Sequence, residues 1–251
     1  MKKIKALAAL IIMVGAFLLI GCAEHKSPTS EEGLRESSFE VIGWADSPGG
    51  APYGVCWDGQ YRWITTRGNS QKIWALPPDS ETPITSFNAP ASMPSGIAFH
   101  NGQLWVTDAD SDYIFVLSRA DGSIQDMIID PCPNNSGIAW VNNKLYLCDW
   151  IAGSIYRYDA NMNLEKTFYG TYPYRQFYGI GWDGSRLWVG DYTRGKAYCF
   201  DLDLNPLVYS DPYISPDYHP TGWAWDGEHL LNTDTSVNRI YKTNPPPPTD
   251  N

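Results

Sequence analysis

Five stretches of this chain start from a glycine and continue alike: Gly54-Val-Cys-Trp-Asp-Gly, Gly96-Ile-Ala-Phe-His-Asn, Gly137-Ile-Ala-Trp-Val-Asn, Gly179-Ile-Gly-Trp-Asp-Gly and Gly222-Trp-Ala-Trp-Asp-Gly. Their leading glycines stand 42, 41, 42 and 43 residues apart. Such a period binds a chain tightly, because each repeat must be one supersecondary unit whose apolar faces are covered by its neighbours. A period of roughly 40–45 residues is that of the four-stranded blade of a β-propeller.

The interior of each unit agrees with that assignment. In the fourth, strands are expected over Gly179–Trp182, Arg186–Gly190, Lys196–Phe200 and Leu207–Ser210, with Asp183-Gly184 suited to a tight hairpin. The fifth unit has three such runs and then reaches Pro245-Pro246-Pro247-Pro248. Its missing outer strand has a donor at the other end of the domain, Phe39 to Trp44. Pairing those ends closes the ring and removes exposed sheet edges. The expected fold is therefore all-β: a five-bladed propeller of four-stranded antiparallel blades, closed by an N-terminal strand that completes the last blade.

The repeat resembles that of the NHL, YWTD and glutamine-cyclotransferase-like propellers, whose units often read G-[IL]-[AV]-W-D-G-x-x-L-W-V-x-D followed by I-Y. Gly179 to Asp191 fits this pattern well and Gly96 to Asp108 nearly so. The resemblance implies a fold, and function must come from a site.

Ahead of the repeats lie Lys2, Lys3 and Lys5, an apolar run from Ala6 to Ile20, and then Gly21-Cys22. A basic start and an apolar stretch of this length describe a secretory signal. Leu19-Ile20-Gly21-Cys22 resembles the lipobox of bacterial lipoproteins, which implies that Cys22 carries the lipid and holds the protein to a membrane. With Ala23 following, sorting rules favour the outer membrane if the cell is Gram-negative. The chain thus divides into a signal peptide (1–21), a polar flexible tether (22–37), the propeller (38–244) and a proline-rich tail (245–251).

Charge narrows the partners. The chain carries a net −10, and removing Lys2, Lys3 and Lys5 from its 18 basic residues leaves 15 against 28 acidic ones. That balance argues against nucleic acid. No Cys/His spacing suits a structural zinc site, and no cofactor or metal is expected. In an exported setting, Cys132 and Cys148, both in the third unit, form a candidate disulfide. Closing a loop of about 15 residues would add on the order of 3 kcal/mol. Cys56 and Cys199 read as small buried residues.

Four units place an aspartate twelve residues after the glycine: Asp108, Asp149, Asp191 and Asp234, with Thr66 in the first. Such a ring could serve a central cation; the simpler reading is that each carboxylate caps a loop of its own blade. The aromatic residue three after each glycine (Trp57, Phe99, Trp140, Trp182, Trp225) is expected in the core between blades.

Departures from the repeat gather on the face formed by the loops before strand one and after strand two. Arg67, Trp150, Tyr174, Arg175, Tyr178, Tyr192, Arg194, Tyr218 and His219 are the candidate ligand-binding residues, with Tyr53, Tyr172, Phe177 and Tyr213 nearby. Flat rings with hydroxyl handles beside guanidinium groups suit a glycan, a peptide or a small anion. The competing reading is that these rings merely pack the loops over the channel.

The expected function is a lipid-anchored binding or scaffold protein of the cell envelope, its partner a glycan, a peptide or an envelope protein. The resemblance implies an alternative, a propeller enzyme of the glycoside hydrolase, lactonase or glutamine-cyclotransferase kind. No Glu or Asp falls in an innermost strand, and Glu40, Glu81, Glu165 and Glu228 map to outer strands or far-side turns. A glycosidase needs two carboxylates aimed at the scissile bond, so no catalytic residue is assigned.

Overall fold

Short runs of branched and aromatic residues, cut by turn-forming residues, become strands throughout. The computed structural model describes residues 39–68, 70–170, 176–216 and 218–246, and for residues 208–214 the backbone alone. Blade one comprises β2 (Pro52–Trp57), β3 (Arg62–Thr66), β4 (Lys72–Leu76) and β5 (Thr85–Asn88), and β1 (Glu40–Asp46) precedes it. Blade two holds β6 (Pro94–His100), β7 (Gln103–Asp108), β8 (Tyr113–Ser118) and β9 (Ile124–Ile129). Blade three holds β10 (Asn135–Val141), β11 (Lys144–Asp149), β12 (Ser154–Tyr158) and β13 (Leu164–Tyr169). Blade four holds β14 (Phe177–Trp182), β15 (Leu187–Asp191), β16 (Lys196–Phe200) and β17 (Pro206–Ile214). Blade five holds β18 (Pro220–Trp225), β19 (Leu230–Asp234) and β20 (Arg239–Asn244).

All pairs are antiparallel, and blade five takes β1 as its outer strand, in the order β1-β20-β19-β18. This is a five-bladed β-propeller closed by its N-terminal strand. Trp44 lies opposite Tyr241 and Asp46 opposite Arg239. Just before β1, Phe39 is buried between the blade-four ring of Trp188, at 5.1 Å, and the blade-five ring of Trp223, at 5.3 Å. Burying a phenylalanine contributes about 1.5–3 kcal/mol, so the closure is held by packing as well as by the ladder.

The core is five apolar seams, one between each pair of neighbouring blades. Strand alternation sends successive side chains to opposite seams. On β11, Leu145 and Leu147 face the seam with blade two, whereas Tyr146 and Cys148 face the seam with blade four. Cys132 packs with Leu145 and Leu147 on the blade-two side. That parity corrects the disulfide expected from the sequence: Cys132 and Cys148 lie in seams on opposite sides of one blade, and both are free thiols, as is Cys56. Burial pushes the Cys132 and Cys148 thiols well above their ordinary pKa, which keeps them protonated and unreactive.

At the axis the five leading glycines meet. A Cβ on Gly137 would lie 2.6 Å from the Cα of Gly179, one on Gly96 2.9 Å from the Cα of Gly137, and one on Gly54 2.5 Å from the Ser95 carbonyl. Only glycine lets the inner strands approach this closely. No water-sized space remains at that level, so the axis is plugged and its two mouths are separate surfaces.

Candidate functional site

Every inner strand runs the same way, so residues before the glycine reach one mouth and residues after it reach the other. Immediately before the glycine the five blades carry Tyr53, Ser95, Ser136, Tyr178 and Thr221. In three of them a small hydroxyl is built into the scaffold. Ser95 Oγ lies 2.7 Å from Thr107 Oγ1, Ser136 Oγ donates to the Phe177 carbonyl at 2.8 Å, and Thr221 Oγ1 donates to the Pro52 carbonyl at 2.9 Å. Blades one and four put a tyrosine there instead. Their rings meet across the mouth, with centroids 6.3 Å apart.

A second variable position lies one residue beyond each repeat aspartate: Arg67, Ala109, Trp150, Tyr192 and Thr235. Trp150 packs 5.8 Å and Tyr192 5.1 Å from Tyr178, and His219 lies 4.5 Å from Tyr192. Arg67 sets its guanidinium 3.7 Å above the Tyr53 ring, within cation–π range. Tyr178 is thus the hub of a plate drawn from four blades. Burial pushes its phenol above the ordinary tyrosine pKa, the Arg67 guanidinium opposes that shift, and Tyr53 and Tyr192 add to it. Tyr178 is therefore a neutral hydroxyl donor at physiological pH.

The remaining candidates fall as follows. Arg194 lies on this face, its Nη1 donating to Asp191 Oδ2 at 2.9 Å, and Tyr218 is exposed. Tyr174 and Arg175, like the lipid-bearing Cys22, lie outside the described residues. Each repeat aspartate is occupied by its own loops. Asp108 accepts from the Met93 and Asp110 N–H groups, and Asp149 from those of Ile151 and Ala152. Asp191 accepts from the N–H of Arg194, and Asp234 from those of His219 and Ser236. Among the described residues no three such side chains converge to hold a metal.

Two features were not expected from the sequence. Asp130, in the loop between blades two and three, accepts from the Cys132 N–H at 2.9 Å and from Asn135 Nδ2 at 2.8 Å. Burial nonetheless pushes its carboxyl up to about 6. The corresponding residues seven before the other leading glycines are Ser47, Ala89, Tyr172 and Ser215. The comparison that singled out the tyrosines would have found this acid too.

The second is the opposite mouth. Trp57, Phe99, Trp140, Trp182 and Trp225, expected to be buried between blades, are only partly buried. All five line a cavity of about 140 Å³ around the axis, and Phe99, Trp140, Trp182 and Trp225 also pack against the seams between blades. His100 stacks on Trp140 at 4.0 Å, and burial holds its imidazole below the usual histidine range. A wider cleft of about 500 Å³, beside Tyr61 and Trp63, lies at the rim between blades one and two, where Arg119 pairs with Asp58.

No protein-family profile and no curated protein sequence matches the chain. Solved structures match its fold. The chain is similar to a glutaminyl cyclase of Myxococcus xanthus (TM-score 0.68, 11% identity, covering 82% of this chain and 96% of that one). It is similar to a chain of a nidogen–laminin complex (TM-score 0.58, 18% identity, 77% and 75% covered). It is also similar to a virginiamycin B lyase of Staphylococcus aureus (TM-score 0.50, 21% identity, 78% and 67% covered). Enzymes and a binding assembly share this scaffold, so the likeness establishes a β-propeller and leaves the activity to the site.

Proposed function

We propose that this chain is a lipid-anchored binding protein of the cell envelope, holding a glycan, a peptide or a small anion on the aromatic and arginine-bearing mouth of its propeller. The observation that carries this reading is the Tyr178 hub. Blades one, three and four bring Tyr53, Trp150, Tyr178 and Tyr192 into a single plate, with Tyr53, Trp150 and Tyr192 all touching Tyr178. A ring needed only to seal the channel could recur in every blade, as the aromatic position of the other mouth does. The anchor rests on the basic start, the apolar run and the Leu19–Cys22 segment.

The reading is tested by thermal shift of the purified chain against sugars, cell-wall fragments and short peptides, with Tyr178→Ala alongside. One ligand class should raise the melting temperature of the wild type and leave the variant unmoved. An equal response from both proteins would remove the plate from the site. Incorporation of labelled palmitate, lost in Cys22→Ala, checks the anchor.

A further inference from the structure

We propose that Arg67 holds a carboxylate group of the ligand. This rests on the reading of the Tyr178 mouth as a small-ligand site and names the chemistry that the site recognises.

Arg67 is 8% exposed, and its charge is permanent. Its Nε donates to the Pro94 carbonyl of blade two at 2.7 Å, and its plane lies over the Tyr53 ring, so the fork is fixed in direction. Its Nη2 is buried and has no acceptor among the described residues. Among the described residues no carboxylate pairs with it, although most other arginines here have one: Arg119 with Asp58, Arg157 with Asp203 and Glu165, Arg186 with Asp183, Arg194 with Asp191. A buried cation lacking a counter-charge is unfavourable, and natural structures keep such groups paired.

The repeat itself shows where the counter-charge is missing. Four blades place an aspartate directly before the variable position, and the one blade that carries Arg67 has Thr66 instead. Thr66 Oγ1 accepts from Trp74 Nε1 at 2.9 Å and donates to the Ser70 carbonyl at 2.9 Å, so it is neutral and already engaged. Blade one thus lacks the internal anion of the other four, beside a buried guanidinium whose flank is aromatic. A planar carboxylate attached to an apolar or ring-bearing body fits both parts. The chain's net charge of −10 disfavours polyanions, which selects a single carboxylate, as in a peptide C-terminus or a uronic acid.

Isothermal titration of the full chain tests this with two matched pairs: N-acetyl-phenylalanine against its amide, and glucuronate against glucose. In at least one pair the acid should bind roughly tenfold or more tightly than its neutral twin, a difference of about 1.4 kcal/mol. Arg67→Met should abolish that preference and Arg67→Lys keep part of it, with folding checked by circular dichroism. Should Arg67→Met fail to fold, Arg67→Lys carries the test, and an undiminished preference in it overturns the assignment. Equal binding of acid and neutral twin refutes the carboxylate while leaving the binding mouth in place. A preference that survives Arg67→Met puts the anion elsewhere and also refutes it. If none of the four compounds binds, the inference falls together with the reading of the mouth.

Discussion

The two mouths of this propeller are built from the same five inner strands yet obey opposite rules. At one end, Trp57, Phe99, Trp140, Trp182 and Trp225 hold one aromatic position in all five blades; all five line the mouth, and all but Trp57 pack against a seam. At the other end, the positions flanking the glycine and the repeat aspartate are not uniform across the blades, and the large side chains that some blades place there touch. A seam is the same problem five times over, so its solution repeats. A ligand without five-fold symmetry can be held only where the symmetry is broken. Repetition therefore marks the scaffold in this chain, and variation marks the candidate site.

Substitutions can break or sharpen that contrast. The largest effect should come from Gly179→Ala, which strikes the plug that both mouths share. Its φ is +62°, and a Cβ there would press on the backbone of Thr221 and Gly222. Overpacking and left-handed strain together should remove about 3 kcal/mol, read by urea denaturation. Loss of well under 1 kcal/mol would mean that the inner strands can part freely.

Next comes a paired comparison. Trp182→Ala, in the repeated ring, should cost about 2–3 kcal/mol, because the side chain supports the core between blades three and four. Tyr178→Ala, in the variable plate, should cost less than that while removing the ligand response. If the two exchange roles, the assignment of scaffold and site to the two mouths is reversed.

The smallest effect is expected at Asp130. Its folded pKa is raised to about 6 from an ordinary value near 4, so the folded state binds more protons than the unfolded one between those limits. Stability from this group therefore falls as pH rises from about 4 to 6. Asp130→Asn should raise stability at pH 7.5 by on the order of 1 kcal/mol, and the gain should vanish near pH 3.5. Melting curves across that range check it; a gain that is flat with pH would assign the effect to something other than the carboxylate.

Much of this was legible in the residues. The glycine period announces the blades, and the incomplete fifth unit together with the Phe39–Trp44 run announces how the ring closes, because blade pairing is local and recurs. The expected strand Lys196–Phe200 appears over those same residues. Strand ends elsewhere shift by a few residues, as in β17, which runs from Pro206 to Ile214 where Leu207–Ser210 was expected.

What a linear reading misses depends on direction and distance. Cys132 and Cys148 are close along the chain, yet strand parity sends their thiols to opposite seams. Phe99, Trp140, Trp182 and Trp225 pack against the seams as expected, yet with Trp57 they also line an open mouth, since the end of a seam is also the edge of the axis.

The sequence alone determined the architecture: five blades, their order and the strand that closes them, because each follows from a repeat whose contacts lie within a unit or with its neighbour. Only the tertiary structure decided that Tyr53 of blade one meets Tyr178 of blade four, that Arg67 is buried with an unmet donor, and that Asp130 is desolvated. Those facts depend on which side chains converge across the axis and on how much water their meeting excludes, and neither is encoded in any single repeat.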